Sequence, residues 1–213
     1  NLLNRHRRSP MRRELGIEPD DFVITVPDPV TRAGGQVEAC RAIANLHEVI
    51  PTLRLIVPGD SPEVRRIRRF VATMPRADVR VVPESRFPVE QIVSNANALL
   101  VTPCGDISTT SIAWAMAAGV VVIGTAVHAV AEMISHKVNG MLFKHAPGRS
   151  LIGPLARCLR DHETHRKVTE VARGQAYEVF GVRRYVEQNM RLAENLLAGR
   201  LPADGITDSS VAM

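Results

Sequence analysis

Residues 98–124 read ALLVTPCGDISTTSIAWAMAAGVVVIG, and three consecutive segments of this stretch decide the fold. Ala98–Thr102 and Val120–Gly124 are short, almost continuously apolar runs, while Thr109–Ala118 between them is alanine-rich and free of glycine and proline. Short apolar runs bounded by turn residues fit strands covered on both faces, and the longer stretch between them fits a helix. A strand, a helix and a strand in that order form a crossover that lays the two strands parallel in one sheet.

The alternation continues in both directions. Further strands are predicted at Phe22–Val26, Leu53–Val57, Val79–Val82 and Met141–Phe143, with helices at Gln36–Val49, Pro62–Met74, Pro88–Asn95 and Val130–Ser135. In Gln36–Val49, Val37, Cys40, Ile43, Ala44 and Leu46 recur at three and four residues and predict the buried face, leaving Glu38, Arg41, Asn45 and Glu48 outside. Past Gly148 the strand signals stop, and Ser150–Arg160, Glu163–Val179 and Arg183–Ala198 predict helices packed on the sheet. The expected fold is α/β, a Rossmann-like parallel sheet of about six strands flanked by helices and followed by a helical carboxyl-terminal segment. The expected layout is a linker and lead-in helix over 1–20, a sheet domain over 21–148, helices over 149–198 and a flexible tail over 199–213.

Composition excludes several classes. With 45% hydrophobic and 23% charged residues, the 213-residue chain can fill a core and is neither disordered nor fibrous. No apolar run approaches the roughly 18 residues of a membrane span; the longest, Ala113–Ile123, is broken by Gly119. Cys40, Cys104 and Cys158 are odd in number and lack metal-ligand spacing, which argues against a disulfide framework or zinc site and for a cytoplasmic protein. Asn1 with no apolar leader suggests a chain that begins inside a longer polypeptide. The net charge of +5 is carried by arginine, since Lys137, Lys144 and Lys167 are the lysines. An arginine-rich surface favours phosphate groups or an acidic membrane surface, the latter at the inner membrane face. Nucleic acid is disfavoured as a partner, because 4% aromatic residues supply few stacking platforms.

Ligands of open parallel sheets bind beyond the carboxyl ends of strands, so the loops there hold the candidate chemistry. In Pro27–Gly35, Gly34 and Gly35 permit close backbone approach and the following helix offers free amides, so a diphosphate with Arg32 as counter-charge would fit; an ordinary glycine-rich turn is the local alternative. In Thr102–Thr110, Asp106 suits a sugar hydroxyl and the amides of Ser108 to Ser111 suit an anion, with simple capping by Ser108 or Thr109 as the alternative. Cys104 reads as a packed thiol. In Gly124–Glu132, His128 is a phosphate ligand, a proton shuttle or a surface residue. Asp161, His162, Glu163 and His165 read as a solvated turn and not as a metal cluster. Arg65, Arg66, Arg68 and Arg69 read as a solvent face, with attraction to a membrane surface as a second reading.

The segments Arg13-Glu14-Leu15-Gly16-Ile17, Asp21–Ile24, Gly35 with Ala42 and Leu46, Pro51–Asp60, Asn97–Pro103, Ala115-Met116-Ala117-Ala118-Gly119-Val120-Val121-Val122-Ile123, then Glu132 and Asn139-Gly140 occur in a telling order. The set resembles the carboxyl-terminal, donor-binding half of GT-B-fold glycosyltransferases of group 1, or family 4. That resemblance implies a nucleotide-diphosphate-sugar donor, retaining transfer, no bound metal or cofactor, and an acceptor held by a missing amino-terminal domain. It implies Asp106 and Glu132 as catalytic residues, and Thr31, Arg32, Gly34, Gly35, Gly59, Ile107, Ser108, Thr109, Thr110 and His128 as donor-binding residues. The chain departs from the family where Pro29 and Gly34 replace its diphosphate-binding Arg and Lys, and where His128-Ala129 replaces a Gly-Gly pair. The paired acids of its E-x7-E motif fall on Asp106 and Trp114, and an indole cannot accept hydrogen bonds from a ribose diol. A degenerate, non-catalytic module that binds or scaffolds a partner is therefore the alternative expectation.

Overall fold

A computed structural model describes residues 9–26, 30–31, 34–59, 61–74, 78–102, 109–144 and 151–198. Among these, α1 (Pro10–Glu14) leads into β1 (Phe22–Thr25), α2 (Gln36–His47), β2 (Leu53–Pro58), α3 (Pro62–Ala72) and β3 (Val79–Val82). Then come α4 (Val89–Asn95), β4 (Ala98–Val101), α5 (Thr110–Ala118), β5 (Val121–Thr125), the one-turn α6 (His128–Ala131) and β6 (Met141–Phe143). Three helices close the chain: α7 (Ile152–Arg160), α8 (His162–Phe180) and α9 (Val182–Leu197).

The strands form one six-stranded sheet in the order β3-β2-β1-β4-β5-β6, and every pairing is parallel. Register follows the period of two. Ile24, Leu55, Val57, Leu100, Val121 and Ile123 face a core shared with α2, α3 and α7. Their neighbours Val23, Ile56, Leu99, Val101 and Val122 face the opposite core, shared with α4 and α5. The strands are thus apolar on both faces, which is why they read as continuous apolar runs. Helix α8 spans both cores, giving Val168 to the first and Ala172 and Ala176 to the second.

Five details differ from the sequence expectation. The buried face of α2 is Gln36, Ala39, Cys40, Ala42, Ile43 and Leu46, whereas Val37 and Ala44 are half-buried; the small Ala39 and Ala42 let the helix lie close to the sheet. Helix α6 ends at Ala131 and does not occupy Val130–Ser135. Beyond it, Asn139 Oδ1 accepts from Ser135 N–H at 2.7 Å and turns the chain toward β6. Helix α9 follows its predicted span but buries no residue. His165 is buried rather than solvated, because its ring packs 6.3 Å from that of Phe22 and its Nε2 lies 2.7 Å from the Cys158 carbonyl. Lastly, Thr109 forms no side-chain cap on α5. The predicted tail over 199–213 lies outside the described residues.

Candidate functional site

The sheet order reverses between β1 and β4, which are hydrogen-bonded neighbours. Helix α2, leaving β1, packs on one face, and α5, leaving β4, packs on the other. Their amino ends therefore flank a crevice at the carboxyl ends of these two strands, the place where open α/β sheets hold ligands.

Gly35 is the hinge of this crevice. It takes the left-handed conformation, φ 72° and ψ 8°, at the amino end of α2. A Cβ there would fall 1.8 Å from the carbonyl oxygen of Thr102, just past β4. Only glycine permits this approach. Thr102 is buried and its hydroxyl donates to the Gly35 carbonyl at 3.1 Å, which fixes the start of α2 against the end of β4. On the outer side, Gly34 N–H donates to the Thr31 carbonyl at 3.3 Å, and Thr31 is exposed. Ser61 connects the next strand by capping α3 through Val64 N–H at 3.4 Å, while its hydroxyl reaches the Val30 carbonyl at 3.5 Å. Gly59, at φ 117°, makes the bend that brings Ser61 there.

Neither Gly35 of α2 nor Thr109 of α5 caps its helix with a side chain. Amino-terminal amides carry partial positive charge, so helix ends at a switch crevice favour an anion such as a diphosphate. Thr109 and Thr110 are exposed at the head of α5. Of the residues expected from sequence, Thr31, Gly34, Gly35, Thr109 and Thr110 thus gather around the crevice, with Gly59 on the adjoining β2 side. His128 opens α6 beyond β5, and the exposed Glu132 follows that helix. Arg32, Asp106, Ile107 and Ser108, with Cys104, lie outside the described residues.

Sequence reasoning missed a buried polar collar beneath the crevice. Thr25, Gln36, Thr102 and Thr125 are all buried. The signal was available, since β1, β4 and β5 each run into a threonine at the carboxyl end. Thr25 donates to the Ile56 carbonyl at 3.1 Å, which, with the Thr102 contact, stiffens the floor of the site.

Other candidates separate from it. Burial pushes the Cys40 thiol up to about 12 and raises that of Cys158 as well, so neither is a nucleophile at neutral pH. Asp161 caps α8 by accepting from Thr164 N–H at 3.2 Å, and Glu163 pairs with Lys167 at 2.7 Å. Among the described residues no group of His, Cys, Asp and Glu converges on a metal position, and no helix is long and apolar enough to cross a membrane.

Comparison with known proteins agrees with this fold. The family described as "Glycosyl transferases group 1" matches residues 7–175. N-acetyl-alpha-D-glucosaminyl L-malate synthase of Bacillus anthracis is 24% identical over 178 residues, covering 84% of this chain and 46% of that protein. The solved structure of Anabaena Alr3699/HepE in complex with UDP and glucose superposes with a TM-score of 0.73 at 21% identity, over 92% of this chain and 55% of that one. The solved C-terminal domain of a glycosyl transferase group 1 family protein (LpcC) from Francisella tularensis superposes with a TM-score of 0.63 at 14% identity, over 76% of this chain and 87% of that one. The chain spans about half the length of the curated relative and of HepE.

Proposed function

The chain belongs to the glycosyl transferases group 1 family, and from that premise we propose that it is the half of a sugar transferase that binds a nucleotide-diphosphate-sugar donor. The observation that carries this reading is Gly35 pressed on the Thr102 carbonyl, which sets the amino ends of α2 and α5 about the β1/β4 switch point. In the proposed reaction the bond between the anomeric carbon and the diphosphate breaks, a bond from that carbon to an acceptor hydroxyl oxygen forms, the hydroxyl proton leaves with the diphosphate, and negative charge grows on the leaving phosphate oxygen. The amides of α2 and α5 lie where such charge would be stabilised, and Arg32 supplies the counter-charge that Pro29 and Gly34 do not. Asp106 positions sugar hydroxyls and Glu132 supports the site from the β5 side. Retention of configuration follows the family pattern. The acceptor is held by an amino-terminal domain outside these residues, a reading supported by relatives about twice as long.

HepE is solved with UDP, so uridine is the first nucleotide to try. Calorimetric titration of the chain with UDP, GDP, ADP and CDP, each also as a diphospho-sugar, tests the reading. One of them binds with micromolar affinity, and Arg32→Ala weakens it about tenfold or more. If none binds more tightly than about millimolar, roughly 4 kcal/mol, the donor reading fails. Trp114 in place of an acid then favours the alternative, a non-catalytic module that keeps the fold for a partner transferase.

A further inference from the structure

Helix α5 carries one side chain for which donor binding by amides and hydroxyls gives no account. Trp114 is the single tryptophan of the chain and is 38% exposed. Around it, Ser111, Ile112, Ala115 and Met116 are buried, whereas Thr110 is exposed and Ala113 and Ala117 are half-buried. Trp114 follows Thr110 by four residues, so the two share the outward arc of the helix. Its neighbours on that arc, Ala113 and Ala117, are too small to cover the indole completely. Among the described residues its N–H has no hydrogen-bond partner, and no ring or guanidinium stacks on it. Part of a wide, flat apolar surface is thus left open to water one turn from the head of α5, whose amino end flanks the switch-point crevice. Exposed aromatic surface of this kind marks a contact.

We propose that Trp114 is the platform on which the nucleoside end of the donor stacks, an inference that rests on the donor-binding reading of the same crevice. The chemistry fits this end of the donor. An indole has no acceptor for the ribose hydroxyls, but its π face meets the face of any nucleobase. Base–aromatic stacking is tolerant of base identity because every base has a π face. Trp114 therefore supplies affinity to all four nucleoside diphosphates alike, and selection among bases resides in other residues. The diphosphate is held by the helix ends, and the indole fixes the far end of the ligand against the outward arc of α5.

With one tryptophan in the chain, its fluorescence reports this contact directly. The 213-residue chain is titrated with UDP, GDP, ADP and CDP while indole emission and calorimetric heat are followed in parallel, with free N-acetyltryptophanamide as the control for collisional quenching and absorption. The expected result is a saturable change in emission whose midpoint matches the calorimetric Kd. Trp114→Ala weakens every diphosphate that binds measurably about tenfold, a loss of about 1.4 kcal/mol, and Trp114→Phe restores most of it. Because Trp114 is more than half covered, Trp114→Ala lowers Tm, so affinities are compared at a temperature where circular dichroism shows both variants fully folded. Calorimetric binding with unchanged emission and an unaltered Kd in Trp114→Ala overturns the stacking role and leaves the donor reading standing. Binding of none of the four diphosphates overturns both.

Discussion

The two ends of the same sheet are built from opposite materials. At the amino ends of the strands, long charged side chains fill the space. Arg12 is almost fully buried, and its guanidinium donates to the carbonyls of Asn95 at 3.0 Å and Asp21 at 3.3 Å and to Asn97 Oδ1 at 2.6 Å. The same Asn97 oxygen accepts from Val23 N–H at 2.8 Å, so one amide joins α1, β1 and β4. Alongside, Arg54 bridges Asp21 at 3.0 Å and Asp78 at 2.9 Å, and Arg80 closes on Asp78 at 2.8 Å. At the carboxyl ends the described rim is Gly35, Thr102, Thr109 and Gly59, small and uncharged. An end whose charges are already paired has none to offer a ligand, and a described rim of small residues leaves backbone dipoles open to one. Stability is therefore concentrated below the sheet, and the proposed binding lies above it.

That division is broken most directly by Arg12→Ala. The substitution takes the guanidinium donor from the Asn95 and Asp21 carbonyls, leaves Asn97 Oδ1 with Val23 N–H alone and opens a cavity at the root of β1 and β4, so the expected cost is about 3–5 kcal/mol. Urea denaturation measures it, and nucleotide affinity of the fraction that remains folded is expected to stay unchanged. A loss of affinity without a loss of stability would reverse the assignment of the two ends. Gly35→Ala is the complementary change and the next largest. It meets the Thr102 carbonyl and places a side chain at φ 72°, where the conformation alone costs about 1–2 kcal/mol. The start of α2 must shift, so donor binding is expected to fall about tenfold or more beyond what the lower stability explains. Calorimetry at a temperature where the variant is fully folded separates the two effects. Equal affinity in Gly35→Ala would remove the α2 end from the site.

The carboxyl end was the more legible of the two in the sequence, and the reason is physical. Its loops are punctuated by glycine and hydroxyl residues whose conformational demands are local, so Gly34, Gly35 and Thr109 stand out in a one-dimensional string. Its threonine floor is just as local, but each Thr sits beside an apolar strand and reads as part of it. The amino end depends on partners far apart in the chain. Arg12 and Asn97 meet only after the sheet has formed, and an arginine in a lead-in helix reads as surface until three acceptors are found for it. The same holds for His165, whose burial is set by Phe22, far upstream at the root of β1. Strands Val79–Val82 and Met141–Phe143 fall on their expected bounds because apolar runs between turn residues need no distant information. Helix α9 marks the limit of periodicity. Its apolar stripe is plain in the sequence, yet Tyr185, Met190 and Leu196 remain exposed; a stripe records that a face favours cover and not where that cover lies.

The smallest expected effect is a pH dependence that belongs to the amino end. Burial, more than any charge, pushes the His165 imidazole below its ordinary value, with His162 adding to the push and the Cys158 carbonyl and Asp161 opposing it. The neutral ring carries its proton on Nε2, from which it donates to the Cys158 carbonyl. Since the folded value is depressed, the unfolded chain binds the proton first as acid is added, and stability falls with pH in that window. The contribution is fully present above about 6.5, the ordinary value, and is lost as pH falls below it toward the folded value. A second loss follows at lower pH. Burial works to raise the Asp78 carboxyl, but the hydrogen bond and charge of Arg80, with the charge of Arg54 beyond, overcome it and hold the group below its ordinary range. Its stabilising share is present above about 3.8 and disappears as pH drops through the folded value. Thermal denaturation from pH 8 to pH 3 is thus expected to show two descending steps, with the upper one abolished in His165→Gln, whose amide can donate to the same carbonyl without titrating. A Tm that rises as pH falls from 7 to 5.5 would show that His165 gains its proton more easily in the folded chain, which is incompatible with an imidazole shielded by Phe22, Cys158 and the first turn of α8.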